Sequence, residues 1–243
     1  MYKKPHLFLA KVITYFKKHN PKFLRMQLIM YLFGCALFSI GAKFFIDSKL
    51  GTDPLDVLVI GLNIHLHLGM GICSAIIAIF FLTWWTVWNR EHPPFTPFIT
   101  TTLVGFLIDL CNFLLIEEYT TKLLSSYPML ITGLFICSYA SSLIIMSGIG
   151  IRIMDLVALT MIKKWKWSFF KAKMVVEIGL FSTGWLLGGP IGVTTVLFLV
   201  IVGPFIQPFM TFNSKFLSLV NYGINYWANN DIPEETGDLS YID

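Results

Sequence analysis

Charge is what this sequence has least of. Charged residues are 13% of its 243 positions against 56% hydrophobic, and mean hydropathy is +0.71. So little polar surface cannot cover a soluble globule, which leaves the bilayer as the natural solvent. Cysteine is scarce as well: Cys35, Cys73, Cys111 and Cys137 each sit inside an apolar segment, with no CxxC or zinc-ligand spacing between them. They read as reduced packing residues. Recognisable catalytic punctuation is missing too, with no HExxH, GxSxG, Walker loop or strand-borne GxGxxG, so no enzyme activity, cofactor or metal is expected. His65 and His67 form an HxH pair, but on a helix such side chains diverge by about 200° and make poor joint ligands.

What is present fits membrane helices. Aromatic residues make up 16%, including 22 Phe and 7 Trp, a usage suited to lipid-facing helices with interfacial rings. The net charge of +4 does not imply nucleic acid. The basic residues fall in short runs beside apolar segments and form no continuous face, so they report topology. The first 25 residues are basic and polar, and no small-residue cleavage pattern follows the next apolar run, so no removed signal peptide is expected.

Crossing the hydrocarbon layer takes about 20 apolar residues. Six segments approach that length: 26–45, 72–88, 98–116, 129–146, 174–187 and 193–209. Two more apolar stretches, 55–66 and 154–162, are too short to cross alone and are expected as half-helices, re-entrant or interfacial. With the N-terminus cytoplasmic, Lys3, Lys4, Lys11, Lys17, Lys18, Lys22, Arg25, Arg90, Arg152, Lys163, Lys164, Lys166, Lys171, Lys173 and Lys215 fall inside, and Lys49 and Lys122 outside. Lys43 is expected to snorkel to the outer surface. That partition obeys the positive-inside rule, whereas an eight-span arrangement moves Arg90 outside and spoils it. Trp84, Trp85 and Trp88, with Trp165 and Trp167, mark an aromatic belt on the cytoplasmic side.

The chain repeats itself. GTDPLDVL from Gly51 aligns with GIRIMDLV from Gly150, so that Asp56 matches Asp155 at a separation of 99. Gly105 faces Gly203 and Asp109 faces Gln207 at a separation of 98. Each half then holds three spans and a half-helix, and an odd number of crossings forces tandem halves into opposite orientations. The expected fold is an all-α polytopic membrane protein of about six transmembrane helices, arranged as two three-helix inverted repeats. Its expected divisions are a basic cytoplasmic segment (1–25), a first membrane repeat (26–117), a second (127–210) and a polar cytoplasmic tail (211–243), largely disordered beyond Trp227.

GWLLGGPIGVTTVLFLVIVGPFIQPF, from Gly184 to Phe209, carries GWLLGG and GPF elements, and Gly51, Pro54 and Asp56 form a GxxPxD element. In these the chain resembles the YczE/YyaS/YitT-type bacterial integral membrane proteins over residues 27–210. The resemblance implies a bacterial inner-membrane location and a fold, and names no substrate. The second half departs from the pattern, with Ile153 in the place of Pro54 and Arg152 in that of Asp53.

Carboxylates in a span cost about 2.5–3.5 kcal/mol at the helix centre, so each calls for a reason. Asp56 sits at the third position of a helix that Asp53 caps and Pro54 begins. Alternatively Asp56, Asn63 and His67 form one polar stripe lining a wet cavity. Asp155 lies one turn from Arg152, as an ion pair or as a solute or proton site at a broken helix's N-terminus. Glu177 either snorkels with Lys173 or carries protons. Asp109 and Gln207 face the bundle interior as cavity lining or as an inter-helix hydrogen bond. Gly188, Gly189, Pro190 and Gly192 break the chain between two short spans, and Gly203-Pro204 interrupts the last. Both are equally read as transporter features or as a plain loop and kink.

Substrate or ion candidates are therefore Asp56, Asn63, Asp109, Arg152, Asp155, Glu177 and Gln207. A small-solute transporter or channel with its site between the repeats is the favoured reading, and a non-catalytic accessory or scaffold protein of a membrane complex is the alternative. An intramembrane enzyme would need Asp56 and Asp155 paired, although inverted halves bring them in from opposite faces. Expected partners are the lipid bilayer, a small solute, and a second copy or another membrane subunit. The topology predicts that Lys163→Cys reacts with a membrane-impermeant maleimide from the cytoplasmic side only. Labelling from the periplasm would overturn it.

Overall fold

Where water is excluded, backbone amides must be satisfied within the segment itself, and apolar runs become helices. The computed structural model describes residues 21–90, 94–114, 122, 124–167 and 169–221. Residues 1–20 and 222–243, which hold most of the two expected terminal segments, lie outside the described residues. The helices are α1 (Pro21–Ser48), α2 (Pro54–Leu66), α3 (Met70–Asn89), α4 (Thr96–Phe113), α5 (Ser126–Met146), α6 (Ile153–Trp165), α7 (Phe169–Leu186), α8 (Val193–Leu197) and α9 (Gly203–Phe216). A π-turn, Phe198–Val202, joins α8 to α9, so that Val193–Phe216 runs as one span with its irregular turn just ahead of Gly203-Pro204. Among the described residues no strand occurs.

Among the described residues, five helices are long and apolar enough to cross a membrane: Leu24–Ser48, Met70–Asn89, Thr96–Phe113, Ser126–Met146 and Val193–Phe216. The remaining expected span, α7, is a full 18-residue helix, as long as α4, but Lys171, Lys173 and Glu177 lower its hydropathy. The two short stretches are both helices of 13 residues, roughly 20 Å at 1.5 Å per residue.

Polarity is inverted relative to a soluble protein. Phe80, Val87, Phe113 and Leu186 are 67–82% exposed, while Lys43, Asp47, Asp53, Arg152, Lys173 and Glu177 are buried. Large apolar side chains pointing outward need a lipid solvent. At one end the rings of Trp84 and Trp88 stack at 5.1 Å, Trp165 lies 5.4 Å from Trp88, and Trp167 lies 4.9 Å from Trp165. Lys164 and Lys171 sit over Trp88 and Trp167, so Trp84, Trp88, Trp165 and Trp167 of the expected belt form one continuous patch, while Trp85 is buried against Thr160.

The core is the crossing of α1 and α5. Glycines let the backbones approach: a Cβ at Gly34 would lie 2.9 Å from Ile144 Cγ1, one at Gly41 2.6 Å from Cys137 Sγ, and one at Gly133 2.6 Å from Phe45 Cε1. Ascending positions on α1 meet descending positions on α5, so the two helices are antiparallel. By contrast α4 runs parallel to α1, joined by Tyr31 Oη with Thr100 Oγ1 at 2.8 Å and by Ser39 Oγ donating to the Val104 carbonyl at 3.2 Å. α9 runs parallel to α5, through Asn213 Nδ2 donating to Ser142 Oγ at 3.2 Å and edge-on rings of Phe135 with Phe205 and Tyr139 with Phe209.

Local geometry recurs at the 99-residue spacing. Ser39 Oγ donates to the Cys35 carbonyl and Ser138 Oγ to the Leu134 carbonyl. Ser48 Oγ donates to Phe45 O and accepts from Leu50 N, as Ser147 Oγ does with Ile144 O and Ile149 N. Lys49 and Gly148 take φ of 58° and 66°, and the helix-ending residues His67 and Lys166 both take φ 53°. Packing is less even. On the α3–α6 side Trp85 Nε1 donates to Thr160 Oγ1 at 2.7 Å, whereas the positions 99 residues away, Gly184 and Gly61, are in backbone contact between α7 and α2.

That contact gives a paired prediction. A Cβ at Gly184 would meet Leu58 N at 2.5 Å and Val57 C at 2.7 Å, while one at Gly179 on the same helix meets nothing within 4 Å. Gly184→Ala should cost about 1–3 kcal/mol, read as a lower Tm in detergent. Gly179→Ala should stay within about 0.5 kcal/mol, and equal effects would contradict the α2–α7 packing.

Candidate functional site

After α1 the chain turns through Lys49 and Gly51 and runs back along the bundle. Gly51 is required there: its φ is +104° and a Cβ would lie 2.6 Å from Gly192 N. The returning segment is held by Thr194 N donating to the Leu50 carbonyl at 3.0 Å. Asp53 then caps α2, Oδ1 accepting from Asp56 N at 2.7 Å, with Pro54 in the first turn, as the sequence predicts.

Asp53 does more than cap. Its Oδ2 accepts from Arg152 Nη1 at 3.3 Å, and Arg152 is the residue that precedes α6. The guanidinium lies 4.4 Å from the ring of Phe38, near the middle of α1, where Cys137 Sγ reaches the Phe38 carbonyl. The α6 entry is fastened by Ile153 N donating to Thr101 Oγ1 at 3.1 Å. The N-termini of the two half-helices therefore meet at the α1–α5 crossing, and the helices do not pack along their lengths.

From Arg152 the ionic chain continues. Arg152 Nε lies 3.4 Å from Asp155 Oδ2, Lys173 Nζ donates to Asp155 Oδ1 at 2.7 Å, and the same Nζ lies 3.1 Å from Glu177 Oε1. Asp53, Asp56, Arg152, Asp155, Lys173 and Glu177 are each at most 6% exposed. Four carboxylates face two cations, a surplus of two negative charges if all are ionised. In a medium of low dielectric such charges persist only by pairing. Asp56 Oδ2 and Arg152 Nη2 are enclosed with no hydrogen-bond partner among the described residues.

Several expected placements change. Lys173 and Glu177 do not snorkel; they turn inward because Asp155 offers the ammonium a partner that the interface cannot better. Arg152 and Lys173 accordingly drop out of the cytoplasmic charge count. Lys43 does not reach the outer surface either: it is buried against Asp47, one turn on. Asp109 stands apart from the cluster and caps α3, Oδ1 accepting from Met70 N at 2.9 Å and Oδ2 from Gly71 N at 2.8 Å, a carboxylate on a helix N-terminus. Asn63 closes the far end of α2 by donating to the Leu68 carbonyl, and His67 is the exposed residue ending that helix. The stripe of Asp56, Asn63 and His67 thus lines no common cavity. The Gln207 side chain lies outside those described. Asp155 and Arg152 pair as expected, whereas the cross-half link to Asp53 and the membership of Lys173 carry no local sequence signal. An apolar groove of about 190 Å³ between α5 and the π-turn, lined by Leu130, Leu134, Leu197 and Ile201 among others, offers no ionisable side chain.

Residues 25–211 match the family of unknown function DUF6198, and the chain belongs to that family. It is 24% identical to the uncharacterized membrane protein YczE of Bacillus subtilis over 80% of this chain and 88% of that one. It is 25% identical to the uncharacterized protein YyaS of the same organism, over 76% and 92% of the two chains. An uncharacterized protein of Haemophilus influenzae is 24% identical over 74% and 81%. No solved structure matches. Outward-facing apolar helices and these relatives together make the chain an integral membrane protein.

Removing Lys173 leaves Asp155 and Glu177 short of their shared cation. Lys173→Met should cost about 3–5 kcal/mol in a thermal or denaturant melt in detergent, whereas Glu177→Gln, which leaves the Lys173–Asp155 bond intact, should cost much less. Equal losses would contradict a central role for Lys173.

Proposed function

We propose that this membrane protein is a transporter or channel for a small solute, built as two inverted repeats, with its site where the two half-helices meet. The observation that carries this reading is the head-to-head meeting of Asp53 and Arg152, 99 residues apart, at the crossing of antiparallel α1 and α5. Helices broken at the bilayer midplane, with charged groups at their N-termini, are the recurring architecture of solute sites in secondary transporters.

Parity supports the inversion. α1 and α4 are parallel, α1 and α5 antiparallel. With α3 and α4 each crossing once, that relation holds only if α2 leaves on the side from which it entered. α6, parallel to α3 through Trp85–Thr160 and Lys164–Trp88, leaves on the opposite side by the same rule. α7 is then the fifth of six spans, crossing in the company of its buried ion pairs. Both termini lie in the cytoplasm, which keeps Arg90, Lys163, Lys164, Lys166 and the tryptophan patch there. The repeats are 26–117 and 127–210, flanked by cytoplasmic segments 1–25 and 211–243, in the inner membrane of a bacterium, and the protein performs no covalent chemistry of its own.

A second reading, an accessory subunit of a membrane complex, is favoured by the closure of the ionic cluster, since no member exceeds 6% exposure. Reconstitution separates the two. Purified protein in liposomes on a solid-supported membrane, challenged with a panel of small amino acids and organic cations, should give a saturable current that Asp155→Asn abolishes at unchanged protein density. No current from any solute, with reproducible co-purification of one membrane partner, would transfer the assignment to the accessory reading.

A further inference from the structure

We propose that Asp56 carries an exchangeable proton, the coupling ion of this transporter, at the place where the second half holds the fixed ammonium of Lys173. The proposal deepens the transport reading and rests on it.

The 99-residue correspondence sets Asp56 against Asp155, Ser74 against Lys173 and Ala78 against Glu177. Asp155 has both oxygens engaged by cations, Lys173 Nζ at 2.7 Å and Arg152 Nε at 3.4 Å. Asp56 has no ammonium of its own: the equivalent position is the buried hydroxyl of Ser74. Its Oδ2 is sealed from solvent and meets no donor among the described residues, and the side chain as a whole is 5% exposed. Charged or titratable groups act on it from three elements: Asp53 at the head of its own helix, Arg152 at the head of α6, and the Cys137 thiol of α5. Arg152 divides its single charge between Asp53 and Asp155, so it offsets only part of the charge of a third carboxylate.

An unmatched acceptor in a closed cluster that holds more carboxylates than cations is completed by a cation that needs no more than one oxygen. A transition-metal or divalent ion would draw on several carboxylate, imidazole or thiolate ligands, and among the described residues no group of three His, Cys, Asp or Glu is placed to hold one. A proton needs only Oδ2. On uptake, an O–H bond forms at Oδ2 with a proton taken from hydronium on one side of the membrane. On release that bond breaks, the proton passes to water on the other side, and the carboxylate recovers its charge. Asp155 cannot cycle this way, because Lys173 occupies its oxygen permanently. The two halves thus share a backbone and divide the labour: one holds its counter-ion covalently, the other exchanges it.

The test is infrared difference spectroscopy of the full chain in lipid, titrated with pH in H2O and D2O. Wild type should develop the carbonyl stretch of a protonated carboxylic acid as pH falls, shifted in D2O. Asp56→Asn, which keeps size and hydrogen-bonding capacity, should lose that band while its amide region and Tm remain those of wild type. Asp56→Glu should restore a band at a displaced frequency. A band that persists unchanged in Asp56→Asn, or no titrating band in wild type, overturns the proposal. Band loss in a protein that carries no solute current would retain the proton site and sink the transport reading. A solute current alongside a band untouched by Asp56→Asn would do the reverse.

Discussion

Inside hydrocarbon a charged side chain has no water to fall back on, and that constraint sets the architecture. Asp53 and Arg152 each sit at the head of a helix too short to cross, and each is the other's counter-ion. Without the pair, two loops and two helix ends would each leave a charge in a medium where an isolated ion costs several kcal/mol. With it, the segments after α1 and α5 are both drawn to the same point beside Phe38. Their return geometry is set by matching serine turns at Ser48 and Ser147. The glycine-lined approach of α1 to α5 and the backbone bond between Thr194 and Leu50 then close the bundle around that point.

The two halves share a backbone plan but differ in how tightly it is packed. Where the first half sets Trp85 against Thr160 of α6, the second sets Gly184 against Gly61 of α2. An indole holds its neighbours apart and gains a hydrogen bond, while a pair of glycines brings backbones together and gains dispersion contact. Chemistry is divided in the same way, since Lys173 and Glu177 have no charged equivalents in the first half.

Much of this was legible in the sequence because it is local. The Asp53-Pro54-x-Asp56 start and the short apolar runs bounded by glycine follow from neighbour-to-neighbour rules, and the 99-residue echo of Gly51 and Asp56 shows when one half of the sequence is laid on the other. What escaped depends on distant partners. An i,i+4 pair such as Lys173–Glu177 or Lys43–Asp47 near the end of a span reads as snorkelling, and only the fold reveals Asp155 waiting for Lys173. For Asp109 the sequence leaves cavity lining and an inter-helix hydrogen bond open, and the fold selects the second, setting the α3 N-terminus, 38 residues earlier, against it. The helical extent of α7 was blurred for a related reason: its charges lower the hydropathy that marks a span, and they are tolerated because the interior neutralises them.

The proposed transport function requires that the two half-helices, which meet head to head at Asp53 and Arg152, depart to opposite faces. Spin labels at His67→Cys and Lys166→Cys, the exposed ends of α2 and α6, measure this directly by pulsed electron resonance in liposomes. Two roughly 20 Å half-helices laid end to end should give a separation of about 30–40 Å, with each label quenched from a different side of the membrane. A separation below about 20 Å, or quenching of both labels from one side, would contradict it.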